Sequence, residues 1–186
     1  MSFVFVSGNL ALDFAGTLKW RRSAPEEFLD NPEDLARWAV ESGLLTERPP
    51  VDADGLGRLR ALREAVYRLV VHGMQGRDWP ADDLATVNQA AGAAPARNAL
   101  TPAGVVRTGD AESIASAVAR AAIDLLGEID TLRVRECGRP GCTRIFVDRS
   151  RGGNRQWCGM EECGNRIKAA QYRVRKSRVA GAASPG

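Results

Sequence analysis

The sequence has a single histidine, His72, and few aromatic residues, which make up 6% of the chain. Because Ser-His-Asp and Cys-His catalysis both need a histidine beside the nucleophile, one histidine argues against these mechanisms. No run of about 18 or more apolar residues occurs, so we expect no segment that spans a bilayer. The first residues lack a basic stretch and are interrupted by Asp13, which is not typical of a secretory signal. We therefore expect a cytoplasmic, reducing location without membrane attachment.

The 186 residues are 44% apolar and 26% charged, as in ordinary globular proteins, and they suffice for one good core with a small appendage. Helix signals dominate: Asn31-Pro32-Glu33-Asp34 can cap and start a helix, and Gly43 can end it. Apolar residues recur at steps of three and four elsewhere. We expect helices at 9–18, 31–43, 54–72, 80–91 and 110–126, and a hairpin that pairs Ala99-Leu100 with Val105-Val106.

Charge is unevenly distributed, although the net charge is only +3. Residues 1–130 carry 13 Lys+Arg against 19 Asp+Glu, whereas residues 131–186 carry 13 against 4. A basic segment behind an acidic body is typical of a module that binds a polyanion, and a solvated basic tail is the simpler alternative. We expect a helical body at 1–130, a basic module at 131–180 and a disordered tail at 181–186.

All four cysteines lie in the last third of the chain: Cys137, Cys142, Cys158 and Cys163. They form two pairs with equal short spacing, and a reducing compartment leaves thiols free to bind metal. The pattern predicts one zinc ion per chain, held tetrahedrally by four thiolates. Four protein ligands leave no open position for water, so this zinc is expected to be structural. Two disulfides, a redox pair and an iron–sulfur cluster are the alternatives.

The residues around the cysteines predict a small unit of strands and a helix. Ile145-Phe146-Val147 and Gln156-Trp157 flank Gly152-Gly153, which favours a hairpin between them, and the acids before Cys163 suit a helix start. A cysteine knuckle, a hairpin and a helix at the fourth cysteine resemble a treble-clef zinc finger. The expected fold class is mainly α, with a helical N-terminal domain containing a small β-hairpin and a C-terminal treble-clef-like four-cysteine finger.

The basic residues of this finger are candidates for contacting nucleic acid, because the planar guanidinium group matches phosphate oxygens and guanine edges. We expect these contacts beside the hairpin turn and along the final helix. The candidates are Arg149, Arg151, Arg155, Arg166, Lys168, Arg173, Arg175 and Lys176. DNA is the expected partner. RNA is the alternative, although no alternating aromatic platform favours it.

Cys163-Gly164-Asn165-Arg166 and its surroundings resemble a known family, the CGNR zinc-finger proteins, over residues 132–178. The first 130 residues resemble the ABATE domain that usually precedes this finger, through Leu10-Ala11-Leu12-Asp13-Phe14, Thr17, the Asn31-Pro32 helix with Trp38, and Gly43-Leu44. This chain has Gly16 where the family has asparagine. The resemblance implies a proposed stress-induced transcription regulator of bacteria, whose body senses or binds a ligand.

Asn9, Asp13 and Thr17 recur at intervals of four and form one polar stripe on the first expected helix. They are the candidate pocket for a small-molecule effector. Helix capping or a buried hydrogen-bond network is the alternative interpretation.

These observations predict a DNA-binding transcription regulator with a structural zinc finger, an effector-sensing body and a tendency to form homodimers. We do not expect an enzyme, because no constellation of titratable groups appears in residues 1–130. A protein-interaction or RNA-binding module with a purely structural metal is the first alternative. An enzyme that uses a pocket in the body is the second.

Overall fold

The computed structural model describes residues 2–169 and is mainly helical, as predicted. The five body helices are α1 Leu10–Ala15, α2 Pro32–Glu41, α3 Ala53–Met74, α4 Ala81–Ala91 and α5 Ala111–Gly127. Three antiparallel hairpins pair β1 Leu18–Lys19 with β2 Glu26–Glu27, β3 Arg97–Thr101 with β4 Gly104–Thr108, and β5 Val134–Glu136 with β6 Ile145–Val147. A π-helical turn, Met160–Gly164, continues as α-helix over 165–169, and we call the whole the C-terminal helix. The predicted tail at 181–186 and Arg173, Arg175 and Lys176 lie outside the described residues.

Local signals account for most of the helix boundaries. The side chain of Asn31 accepts a hydrogen bond from the Asp34 backbone N–H, and Pro32 occupies the first position of α2. Gly43 follows the helix with a φ of +76°, a conformation that disfavours other residues. The β3–β4 hairpin pairs Leu100 with Val105 and is confirmed.

The first helix is shorter than predicted. It ends at Ala15 with Gly16 as its C-cap, and the backbone of Thr17 accepts a hydrogen bond from the Phe28 N–H at 3.0 Å. The chain then enters the β1–β2 pair instead of continuing to Leu18 as helix. Thr17 therefore does not share a helical stripe with Asp13.

The core lies between α1, α3 and α5, and α2 closes it with Trp38, whose ring packs 4.8 Å from that of Phe14. The other helix α4 packs against both α3 and α5. Within residues 2–169, no helix is long and apolar enough to cross a membrane.

Strand β6 is buried on both faces, so it belongs to two clusters at once. Ile145 and Val147 are 3% exposed and join the core of the body, whereas Phe146 packs with the cysteines. Because successive side chains of a strand point to opposite faces, three residues suffice to connect the body to the finger.

The partner of β6 differs from the prediction. Gln156-Trp157 forms no strand, and β6 pairs instead with β5, which precedes the first cysteine. The carboxylate of Asp148 explains the difference, because it accepts hydrogen bonds from the backbone N–H groups of Ser150 and Arg155. These bonds curl residues 149–155 into a loop instead of a returning strand.

Arg63 of α3 carries a buried charge, with 3% of its side chain exposed. Its guanidinium donates to both carboxylate oxygens of Glu27, at 2.6 and 2.7 Å, and to Glu64 at 2.8 Å. Burial alone would raise the pKa of Glu27, but Arg63 outweighs burial and holds that pKa below its ordinary value. The network connects β2 to the middle of α3.

Replacing Glu27 with glutamine is expected to lower the free energy of unfolding by about 3 kcal/mol, because a buried guanidinium loses its bidentate partner. The measurement is urea unfolding followed by circular dichroism. Glu33→Gln is the matched control, since Glu33 pairs with Arg48 in an exposed ion pair and its loss is expected to cost about 0.5 kcal/mol or less. Equal stability of the two variants would contradict this role of Arg63.

Candidate metal centre and nucleic-acid interface

The four cysteine sulfurs converge on one point. All four lie within 4.8 Å of one another, with Cys158 3.5 Å and Cys142 3.8 Å from the Cys163 sulfur. With Zn–S bonds of about 2.3 Å, a tetrahedral site requires sulfurs about 3.8 Å apart. The observed separations therefore fit one zinc ion, and no disulfide joins these cysteines.

The local backbone folds each cysteine pair towards this point. In the first pair, the Cys142 N–H donates to the Arg139 carbonyl, and Gly141 has a φ of +80° that a larger residue rarely adopts. In the second pair, the Cys163 N–H donates to the Gly159 carbonyl within the first turn of the C-terminal helix. The two turns meet where the Gly138 N–H donates to the Gln156 carbonyl at 2.8 Å.

The negative charge of four neighbouring thiolates also requires a cation at this site. Hydrogen bonding among the sulfurs lowers the pKa of Cys137 and raises that of Cys158, because a thiolate favours a protonated neighbour. Four adjacent thiolates therefore cannot form without a compensating charge. A zinc ion supplies two positive charges and leaves a net charge of −2 on the cluster.

Two arginines face this negative cluster. Arg144, which is 5% exposed, lies with Nη1 3.9 Å from the Cys158 sulfur and 3.0 Å from Glu162 Oε2. Arg139 lies with Nη1 3.9 Å from the Cys163 sulfur and covers the ring of Trp20. Both side chains offset the cluster charge and anchor the finger to the body.

Glu162 completes this arrangement on the side of the body. Burial alone would raise its pKa, but Arg144 and Lys19 outweigh burial and hold the pKa below its ordinary value. Lys19 lies 3.1 Å from Glu162, so the β1 strand contacts the C-terminal helix through this pair.

Arg155, a predicted nucleic-acid contact, makes several contacts within the protein. Its guanidinium donates to the backbone carbonyls of Trp157, Val6 and Cys158 and lies 4.2 Å from the ring of Phe146. These hydrogen bonds use Nε and Nη2 and hold the segment before α1 against the second cysteine turn. A contact of Arg155 with nucleic acid stays a prediction.

The other described candidates lie at the surface. Arg149 and Arg151 are exposed on the loop after β6, and Arg166 and Lys168 are exposed on the C-terminal helix. Lys168 also lines an open groove with Met160 and Val6.

The structure adds two residues that the prediction missed, Arg133 and Arg135. Arg135 donates to the Gly153 carbonyl at 3.0 Å, and the guanidinium of Arg133 lies where any side chain at residue 153 would collide with it. Both therefore lie against the loop that carries Arg149 and Arg151, and all four are exposed. We call these four residues the arginine cluster. Strand β5 has only three residues, so its sequence offered no clear period that could have predicted this face.

Asp148 orders the loop of the arginine cluster from beneath. Its side chain is fully enclosed and lies 3.8 Å from Arg135 Nε. Hydrogen bonds from Ser150 and Arg155 hold the pKa of Asp148 below its ordinary value. The carboxylate therefore stays charged and keeps the loop fixed at neutral pH.

The predicted effector residues are all engaged within the protein. Asn9 caps α1 and donates to the Ala121 carbonyl, Asp13 accepts from the Ser7 N–H, and Thr17 donates to the Phe14 carbonyl. Burial raises the pKa of Asp13. These contacts are those of the alternative interpretation, a capping and hydrogen-bond network.

The cavity beside Asp13 and Thr17 has a volume of about 10 Å³, which is enough for one water molecule. Trp38 and Arg144 line this cavity. The nitrogens Trp38 Nε1 and Arg144 Nε find no hydrogen-bond partner among residues 2–169. Effector binding at this place stays a prediction.

The chain combines a helical body with a four-cysteine metal site and with basic loops at the surface. These features define it as a zinc-finger protein. Residues 8–129 match the ABATE family, which is described as "putative stress-induced transcription regulator", and residues 133–176 match the CGNR zinc finger. The chain belongs to the ABATE family and carries the CGNR finger behind that domain. No curated protein matches the sequence.

Proposed function

We propose that this chain is a transcription regulator that binds double-stranded DNA through its zinc finger. The arginine cluster is the single observation that carries the proposal. Arg133 and Arg135 contact the loop that carries Arg149 and Arg151, all four residues are exposed, and hydrogen bonds to Asp148 rather than the metal ligands order that loop. Phosphate contacts of this kind set the orientation of a protein on a duplex.

The distribution of charge supports one mode of approach. Residues 1–130 carry six more acidic than basic residues, so the body is repelled by the DNA backbone while the finger is attracted. Arg166 and Lys168 add two exposed basic residues on the C-terminal helix, and a helix is an element of suitable width for a major groove. The zinc ion takes no part in recognition and keeps the two cysteine turns together.

The proposal includes a sensing role for the body, a homodimer as the functional unit and no catalytic activity. The last point is supported by the presence of a single histidine, His72, in the sequence, because nucleophilic catalysis by Ser-His-Asp or Cys-His groups depends on histidine. A dimer would place two fingers on one duplex, as symmetric regulators do.

The test is the affinity of the zinc-loaded full chain for duplex DNA at increasing salt concentration, measured by fluorescence anisotropy. If the arginine cluster neutralises four phosphates, the logarithm of the association constant is expected to fall with the logarithm of salt with a slope of about −3.6. Absence of binding at 50 mM salt would overturn the proposal in favour of a protein-interaction module. Tighter binding to an RNA of the same length would favour the RNA-binding alternative.

A further inference from the structure

The β3–β4 hairpin is a two-stranded sheet with one uncovered edge. On the side of β4, Arg107 donates its N–H to the Thr46 hydroxyl at 3.0 Å and accepts the Thr46 N–H at 2.9 Å. On the side of β3, residues 97–100 are all exposed, and no other element of the described chain pairs with them. The outer edge of β3 therefore remains free to pair.

The hydrogen bonds of Arg107 also determine which backbone groups point outward from β3. Because the N–H and carbonyl of Arg107 point away from β3, the facing residues Asn98 and Arg107 exchange no hydrogen bonds. Such pairs alternate along an antiparallel ladder, so Leu100 and Val105 form another. The N–H and carbonyl groups of Asn98 and Leu100 thus point away from β4 and line the free edge.

The side chain of Leu100 leaves an apolar surface at this edge. Leu100 is 85% exposed, the highest value among the exposed large apolar residues within the described part of the chain, and Val105 beside it is 49% exposed. Sheet edges that stay unpaired usually carry a lysine, a proline or a bulge. Asn98, Ala99 and Leu100 provide none of these, and their pairing with β4 is regular. The edge is therefore suited to pairing with another strand.

A second copy of β3 complements this edge. When two β3 strands pair antiparallel about a two-fold axis at Ala99, Asn98 of each copy faces Leu100 of the other. Every free N–H of one edge then meets a free carbonyl of the other, which gives four hydrogen bonds from the outward groups of the two residues in each copy. Arg97, the only charged residue of β3, faces Thr101 instead of another charge.

The residues around β3 exclude the neighbouring symmetric registers. An axis at Leu100 would bring Asn98 opposite Pro102, which has no N–H to donate. An axis at Asn98 would bring Leu100 opposite Ala96, which precedes the strand and packs against the core. Only the axis at Ala99 uses every free group of the edge. Because the edge fits itself in a single register, a second copy is the occupant that it specifies.

We propose that two copies of this chain join their β3 edges into one four-stranded antiparallel sheet, in the order β4–β3–β3–β4. Leu100 of each copy then lies beside Asn98 of the other copy and diagonal to its Leu100, within reach across the axis. The inference rests on the homodimer of the proposed function, for which it names the contact surface. This surface contains no residue of the arginine cluster.

The first test is analytical ultracentrifugation of the zinc-loaded full chain at about 10–500 µM, because interfaces of this small size are weak. The wild-type chain is expected to dimerise. Leu100→Pro and Asn98→Pro each remove an outward N–H without removing a bond between β3 and β4. Each is expected to weaken the dimer at least about 30-fold, because two of its four hydrogen bonds are lost.

Val105→Pro is the matched control for these variants. It removes an outward N–H and an exposed apolar side chain from the opposite edge of the same hairpin, so we expect the dimer to remain. Circular dichroism shows whether each variant is folded. A wild-type chain that stays monomeric would overturn the inference together with the homodimer. A dimer that both folded β3 variants retain would overturn this surface alone, and DNA binding is tested separately by anisotropy.

The second test detects the two-fold axis directly. At the axis, Ala99 of the two copies forms a pair whose Cα atoms lie about 4.5 Å apart, a separation that allows a disulfide. Ala99→Cys is therefore expected to form a covalent dimer when the zinc-loaded protein is oxidised with diamide, and mass spectrometry identifies the linked residues. Val105→Cys is the control, since three strand spacings place its two copies at least about 14 Å apart. No cross-linking of Ala99→Cys, or equal cross-linking of the two variants, would overturn the register.

Discussion

Replacing Cys163 with serine is expected to reduce bound zinc from one ion per chain to none and to unfold the finger. Three thiolates leave the tetrahedral site incomplete, and structural zinc contributes on the order of 10 kcal/mol to the folding of such modules. The body is expected to lose stability as well, since Ile145 and Val147 would leave its core. At about 1.5–3 kcal/mol for each buried side chain, the melting temperature of the body should fall by about 10 °C or more.

Zinc content by atomic emission and thermal unfolding by circular dichroism check this result together. Glu161→Gln is the matched control, because Glu161 is exposed on the same turn of the C-terminal helix and is not a ligand. We expect it to retain one zinc ion and the original melting temperature. A Cys163→Ser protein that keeps one zinc per chain would contradict the assignment of the four ligands.

Replacing Arg149 and Arg151 together with glutamine is expected to weaken binding to duplex DNA by about 100-fold at 100 mM salt. Each exposed guanidinium contributes one charge-assisted phosphate contact of about 1.5 kcal/mol. The salt dependence is expected to change as well, with the magnitude of the slope falling by about 1.8 because two phosphates are no longer neutralised. Fluorescence anisotropy at several salt concentrations measures both effects.

Arg77→Gln with Arg97→Gln is the matched control for this variant. Both residues are exposed on the body, so the double change removes the same charge at a distance from the finger. Zinc content reports whether the finger variant remains folded. If the two double variants weakened DNA binding equally, the effect would come from net charge and the arginine cluster would not be the interface.

The zinc site was predictable from the sequence because ligand type and spacing determine it. Two close cysteine pairs can reach one ion through tight turns, and the four sulfurs meet as expected. The helices of the body were equally predictable from the sequence, because N-caps such as Asn31 and apolar stripes such as that of α5 are local features.

The strand partner of β6 could not be predicted from local features of the sequence. Gly152-Gly153 is a strong local signal for a hairpin, but the buried Asp148 carboxylate uses the neighbouring N–H groups and bends the loop away. A three-residue strand such as β5 has too few residues to show a clear period. The pairing depends on contacts between distant residues.

The roles of individual arginines also could not be predicted from the sequence pattern. Arg155 and Arg149 look alike in the sequence, but one meets three carbonyl groups and an aromatic ring, and the other is exposed. What separates them is the position of the segment around Val6, which reaches the finger from the far end of the chain. Only the folded structure brings that segment to Arg155.

Strand β6 has a practical consequence for anyone who wishes to divide this protein. In a fragment that begins near residue 131, Ile145 and Val147 would be exposed to water as an apolar surface. The remaining fragment would expose the apolar residues that they cover in the full chain. The two fragments are therefore expected to aggregate when they are expressed separately. When they are co-expressed, each fragment can bury the apolar surface of the other.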